Sequence, residues 1–283
     1  MKTNNVMNIP FSNDFMFCTV LYENLDLAKE FVEVITQRKI REIQHSNKQL
    51  TLDYALSAKS VRLDVYFEDD EAVYDLEMQR SENDNLAERA RYYQGAIDQG
   101  ILEKGNDYAK LKNSYIIFIC TFDPFNKGKS KYTFQEFCVE DKSILLNNGA
   151  TKIFLNATST QNDVSKELQD LLKYIYTGTS NNNNLVQKID EVVVSTQNNE
   201  TWRDRFMTLE YEINRRVAAL KKEIAEEKRT LKKFKMNYFK LRIMLLLPLW
   251  VWGLLKKKLK SSLKMGLKSK NTFADSHIKD HFY

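Results

Sequence analysis

Three carboxylates, Asp64, Asp75 and Glu77, sit within residues 62–80, which read Arg-Leu-Asp-Val-Tyr-Phe-Glu-Asp-Asp-Glu-Ala-Val-Tyr-Asp-Leu-Glu-Met-Gln-Arg. Two alternating segments flank an acidic turn, a pattern that predicts a β-hairpin. Successive side chains of a strand point to opposite faces. The first arm therefore sends Leu63, Val65 and Phe67 one way and Arg62, Asp64 and Tyr66 the other. In the second arm Tyr74, Leu76 and Met78 share a face, and Val73, Asp75, Glu77 and Gln79 share the opposite one. A two-residue turn at Asp69-Asp70 pairs Asp64 with Asp75. Sliding the turn by one residue sets Asp64 opposite Glu77. Either register gathers the three carboxylates on one face, within cross-strand reach. Like charges so placed repel unless something positive lies between them. Mg2+, held by one or two carboxylates plus waters and phosphate oxygens, suits such a set. The same pattern also fits the solvated polar face of an amphipathic hairpin.

Other elements must position this hairpin. Residues 24–38 carry apolar side chains at helical spacing on one face, from Leu25 and Leu27 to Val34 and Ile35. A shorter helix precedes it, with Ser12 or Asn13 as N-cap. Residues 50–56 read as a first strand. Ser81 and Asp84 offer caps for a helix over residues 85–103 that ends near Gly105. Residues 114–122 form an apolar run of the kind found in a fully buried strand, stopped before Pro124. Residues 132–139 and 152–155 add strands, and residues 168–176 read as a helix followed by a loop of four asparagines, 181–184. The order αβββαβ predicts an α/β core over residues 1–160, with residues 161–200 as the helix and Asn-rich loop. A long amphipathic helix over residues 201–235 follows. On it Ile213, Val217, Leu220, Ile224, Leu231 and Phe234 alternate three- and four-residue steps, with Glu227 interrupting. That is a coiled-coil seam, serving either packing on its own domain or a homodimer through residues 201–235.

Composition narrows the classes of function. At 283 residues, 29% charged and 43% hydrophobic, the chain can bury one good core. Cys18, Cys120 and Cys138 have no metal-ligand spacing and read as reduced thiols; with no signal-peptide pattern at Met1, a cytoplasmic protein is expected. A nucleophilic cysteine needs a base, and ahead of the tail only His45 is available. The net charge of +5 is misleading. From Thr230 onward there are 13 Lys and Arg against two acids, leaving 30 basic and 36 acidic groups before it. Phosphate binding must rest on local clusters and a cation, not on bulk charge.

Asp64 on one strand followed by Glu77-Met78-Gln79 on the next resembles the core of a PD-(D/E)XK nuclease site. Further stretches narrow the likeness: Asn13-Asp14-Phe15-Met16-Phe17, Arg89-Ala90-Arg91-Tyr92-Tyr93-Gln94, Gly105-Asn106-Asp107-Tyr108, Ile153-Phe154-Leu155-Asn156 and Trp202-Arg203-Asp204-Arg205-Phe206-Met207. In this order they resemble the Rpn family of recombination-promoting nucleases, also described as transposases, over residues 10–230. The resemblance implies a PD-(D/E)XK restriction-endonuclease-like core with a C-terminal helical extension. It further implies a metal-dependent DNA endonuclease linked to recombination or mobile elements.

By the same resemblance Asp64, Glu77 and Gln79 are the catalytic residues. Asp64 is the principal metal ligand and Glu77 the second, the backbone carbonyl of Met78 completes the set, and Asp14 is an additional acid or else a helix N-cap. The ion is Mg2+, with Mn2+ or Ca2+ as substitutes, and DNA is the partner. Gln79 stands where the superfamily usually has lysine. An amide can orient a water but adds no charge, so Arg80 or a basic residue on the next helix must supply it. Arg89 and Tyr93, four apart on one helical face, are candidates with Arg80 for contacts to the DNA backbone. The alternative is an inactive DNA-binding or interaction protein that keeps the nuclease fold.

Residues 236–283 change character. The 13-residue apolar run at 243–255, flanked by lysines, is short of the roughly 20 residues that a membrane span needs. Relatives carry a charged, alanine-rich helix here, so the tail reads as a frameshifted or degraded form of it.

Overall fold

Strands covered on both faces read as continuous apolar runs, and β6 (Asn113–Cys120) is such a strand, with residues 116–120 all buried. It lies inside a six-stranded sheet. The chain is described here by a computed structural model over residues 8–43, 45–48, 51–52, 61–82, 85–102 and 105–246, with Gly253 and Lys257. Its strands are β1 (His45–Lys48), β2 (Thr51–Leu52), β3 (Val61–Arg62), β4 (Val65–Glu68), β5 (Ala72–Gln79), β6, β7 (Lys131–Phe134) and β8 (Ala150–Asn156). The main sheet runs β1-β4-β5-β6-β8-β7; β2 and β3 pair separately. β4 and β5 are the antiparallel hairpin, β5, β6 and β8 are parallel, and β7 returns antiparallel to β8.

Six helices accompany them among the described residues: α1 (Asp14–Glu23), α2 (Leu25–Thr36), α3 (Leu86–Ile101), α4 (Lys166–Thr177), α5 (Asn184–Asn198) and α6 (Glu200–Leu246). The expected order αβββαβ is met by α1/α2, then β1, β4, β5, α3 and β6. Residues Met1–Met207 and Thr208–Tyr283 form two units.

Each sheet face has its own cover in the first unit. On one face Val65, Phe67, Tyr74, Leu76, Ile117 and Leu155 join side chains of α1, α2, α4 and α5. On the other, Val73, Ile116, Phe118 and Phe154 meet Leu86, Ala90 and Ile97 of α3. The start of α6 belongs to the first cluster. Trp202 is buried, stacks on Phe206 at 5.5 Å, lies 5.3 Å from Phe15, and donates its indole N–H to Thr19 Oγ1 at 3.2 Å. Side chains of α6 described from Glu210 onward are exposed.

Several expectations are corrected. The hairpin turn centres on Asp70-Glu71, not Asp69-Asp70: Val65 pairs with Leu76 and Glu68 with Val73, and Asp69 Oδ1 accepts from the N–H groups of Glu71 and Ala72. A side chain that mimics a backbone acceptor sets the turn one residue later. The first arm does not run unbroken from Arg62. β3 ends there and β4 starts at Val65, so Leu63 buries with Tyr66 on the α3 side rather than with Val65. The main-sheet strand preceding the hairpin is β1, not residues 50–56, of which 50 and 53–56 lie outside the described residues. β7 stops at Phe134, short of Val139. The loop at 181–184 ends in α5, a helix not expected from the sequence, with Asn183 as its N-cap accepting from Val186 N–H at 3.1 Å. The cap expected at Asp84 lies outside the described residues, as do residues 103–104 of the next expected helix and 247–252 and 254–255 of the apolar run.

Candidate active site

The observed register is the one that sets Asp64 opposite Glu77. Continuing the pairs Tyr66–Asp75 and Val65–Leu76 by one step brings these two residues together where the hairpin ladder stops. There the carboxylates take over from backbone pairing. The Asp64 N–H donates to Glu77 Oε1 at 3.0 Å, and the Met78 N–H donates to Asp64 Oδ2 at 3.4 Å. Cys18 of α1 donates its thiol to the Asp64 carbonyl at 3.5 Å, tying the first helix to this end of the hairpin.

Asp75, two residues before Glu77 and on the same face, is wholly buried, and among the described residues neither of its oxygens meets a donor group. Burial pushes the carboxyl groups of Asp75 and Glu77 well above the ordinary carboxylate range. For Asp75 the charge of Asp64 adds to that; for Glu77 the charges of Asp75 and Asp64 do. Arg89 pulls both partly back. Two buried like charges side by side favour a retained proton, and a proton between Asp75 and Glu77 is the donor that the Asp75 oxygens otherwise lack.

Arg89 is the cation of the site. Its Nη2 bonds Glu77 Oε2 at 3.2 Å and the Tyr93 hydroxyl at 3.2 Å, while Nη1 donates to Gln79 Oε1 at 2.8 Å. The guanidinium also lies over the rings of Phe118 and Tyr93, at 5.3 and 5.5 Å. Gln79 spends its amide on structure, since Nε2 donates to the Ser81 carbonyl at 2.8 Å. Arginine only donates, which fixes the amide's orientation. Burial, reinforced by Glu77, raises the Tyr93 hydroxyl above its ordinary range, so Tyr93 stays neutral.

Asn13, not Asp14, caps α1: its Oδ1 accepts from the N–H groups of Phe15 and Met16 at 3.1 and 3.2 Å. Asp14 is thereby released from that role. The residue is exposed at the surface, yet protein around its carboxyl raises its pKa, and the charge of Arg80 opposes the rise. Arg80 is exposed, with its carbonyl accepting from Thr121 Oγ1. Cys120 lies beside Gln79 in the sheet, and burial pushes its thiol up to about 12, which removes it as a nucleophile.

Among the described residues no three Asp, Glu, His or Cys side chains converge as a metal-binding group. The chemistry of the donors nonetheless fits a hard divalent cation. Asp64 and Glu77 offer two carboxylates, the number Mg2+ commonly takes from a protein.

The inward reach of Arg89 and the complete burial of Asp75 are the features that spacing alone misses. The i, i+4 relation of Arg89 and Tyr93 is visible in the sequence; the direction of the guanidinium is not. A polar cavity of about 260 Å3 lined by Asn113, Tyr115, Gln135, Asn147, Gly149 and Thr151 lies at the opposite end of the parallel strands. Ligands of open α/β sheets bind outside the carboxyl ends of the strands, where Glu77 and Gln79 are.

A family model described as PD-(D/E)XK nuclease family transposase matches residues 11–237. No curated protein and no solved structure matches the chain.

Proposed function

Since this chain belongs to the PD-(D/E)XK nuclease family transposases, we propose that it is a metal-dependent DNA endonuclease that hydrolyses phosphodiester bonds in recombination or mobile-element DNA. The observation that carries the reading is the meeting of Asp64 and Glu77 across the end of the hairpin, with Asp75 buried beneath them and one arginine as their counter-charge. Asp64 and Glu77 hold the ion. The Met78 carbonyl joins them, because N–H and C=O of a strand residue leave on the same side and the Met78 N–H points to Asp64. Asp14, free of capping, is the additional acid. Mg2+ is the expected ion, with Mn2+ as a substitute. When bound it supplies charge neutralisation at the phosphate and at the leaving oxygen.

The remaining work falls to side chains. Gln79 is a positioning residue: it locks Arg89 rather than a water. Arg89 supplies the positive charge that lysine would bring in the Gln79 position, delivered from α3. Arg80, exposed beside Asp14, contacts the DNA backbone; Tyr93 orients Arg89.

A second reading, an inactive DNA-binding protein, is favoured by one fact: both Glu77 oxygens already have partners, Asp64 N–H and Arg89. Plasmid cleavage by the full chain in Mg2+, Mn2+, Ca2+ and EDTA decides between them. Metal-dependent cutting lost in Glu77→Ala supports the nuclease. No cutting by a folded protein that still binds DNA supports the second reading.

A further inference from the structure

The loop between β6 and β7 folds onto the sheet face that holds the carboxylates. Glu77, Phe118, Phe154 and Tyr132 are neighbours in register on β5, β6, β8 and β7. Residues so paired share a face, and it is the one that α3 covers. Phe125 of the loop packs on this row, 4.9 Å from Tyr132 and edge-on to Phe154 at 5.2 Å. Asp123 turns its carboxylate inward, accepting from the N–H groups of Phe125 and Gly128 and from the Tyr132 hydroxyl at 3.1, 2.6 and 2.7 Å. Gly128, at φ 72°, lets the chain turn back toward β7. Asn156, the last residue of β8, donates to the Lys129 carbonyl at 3.1 Å. The loop is thus pinned from inside, and the charge it shows outward is positive. Lys127 and Lys129 are exposed, and among the described residues neither has an acid within ion-pair distance. Lys131, the third lysine of the stretch, turns away and donates to the Ile35 carbonyl at 2.6 Å.

We propose that Lys127 and Lys129 bind the phosphate backbone of DNA beside the carboxylate site, an assignment that rests on the nuclease reading. Tyr132 and Glu77 are three strand spacings apart, roughly 14 Å. At about 3.4 Å per nucleotide along one strand, the lysines hold phosphates about four nucleotides from the bond that is cut. A loop already fixed by Asp123 and Phe125 loses little freedom when DNA arrives, so its two ammonium groups act at low entropic cost. Contacts of this kind set the position of the duplex and read no sequence.

The test uses the full chain and the fluorescence anisotropy of two labelled duplexes of unrelated sequence, in Ca2+ and in EDTA, over a series of KCl concentrations. Each phosphate contact contributes about 0.9 to the slope of log K against log salt. Lys127→Ala with Lys129→Ala is therefore expected to lower the slope by about 1.8 on both duplexes. Lys127→Arg with Lys129→Arg is expected to keep it. Lys166→Ala with Lys173→Ala removes the same charge from α4, on the opposite face, and is expected to leave the slope unchanged. An unchanged slope in the first variant, an equal fall in the α4 variant, or no binding to either duplex overturns the proposal. Plasmid cutting is read separately. Cutting with an unchanged slope removes the loop contact alone, whereas a lowered slope in a protein that cuts nothing keeps the contact and removes the nuclease.

Discussion

The backbone N–H of Asp64 is bonded to the carboxylate of Glu77 at 3.0 Å, so each residue that would hold a cation also holds the other's strand in place. The end of the hairpin is closed by acceptor side chains instead of by backbone pairs. Loss of either carboxylate must then affect both chemistry and local structure, and the two effects can be separated by isosteres.

Asp64→Asn and Glu77→Gln keep the size and most hydrogen bonding of the side chains while removing the charge that a divalent ion requires. Metal-dependent plasmid nicking is expected to fall at least about 100-fold in each, comparable to losing a principal electrostatic contribution to a transition state. Urea midpoints are expected to stay close to the parent or rise. A nicking rate within threefold of the parent for both would exclude this pair as the site.

Arg89→Ala removes the partner of a carboxylate that is almost fully buried. Because the arginine itself is partly exposed, the loss is expected at the low end for such pairs, about 3 kcal/mol. Arg89→Lys should not restore activity: an ammonium cannot bridge Glu77 and Gln79 as the guanidinium fork does. Denaturant unfolding and single-turnover cleavage read the two effects separately.

The raised carboxyl groups of Asp75 and Glu77 give stability a definite dependence on pH. With pKa values higher in the folded than in the unfolded chain, the native state holds more protons above about pH 4. Without divalent ions, stability therefore falls as pH rises from the ordinary carboxylate range through the raised one. Mg2+ should restore it, most strongly at pH 8, with release of protons. Asp75→Asn should flatten the slope and raise the melting temperature at pH 8 by several degrees. Melts from pH 5 to 8 in EDTA and in Mg2+ test this; a profile rising with pH in EDTA would contradict it.

Trp202→Ala empties a site walled by Phe15 and Phe206 and leaves Thr19 without the indole donor. The expected cost is about 3–5 kcal/mol. Truncation after residue 199 should be as damaging, whereas truncation after residue 207 should leave the unfolding of the first unit nearly unchanged. Equal melting of the two truncated chains would show that the start of α6 is dispensable.

The carboxylate face was legible because strand alternation is strict, and both registers open to the hairpin put Asp64, Asp75 and Glu77 together. Choosing between them needed Asp69, whose side chain draws the turn along by one residue. α5 was hidden for two reasons: asparagines read as loop although one of them is its cap, and Val192, Val193 and Val194 are β-branched residues that disfavour helix until packing decides. Arg89 was visible as a basic residue on the right helix. Its inward turn depends on Phe118 and Tyr93 forming a shelf for the guanidinium, a three-dimensional fact with no one-dimensional signature.

Trp202 and Gln197 bond back to Thr19 and to the Ile9 carbonyl, joining residues almost two hundred positions apart. On the ribosome this closure comes late. While the first two hundred residues emerge, the helix that carries Asp14 lacks its last cover, and the hairpin it braces through Cys18 lacks a firm support. The end of the hairpin that carries Asp64 and Glu77 thus gains its full support only after residue 206 has left the ribosome.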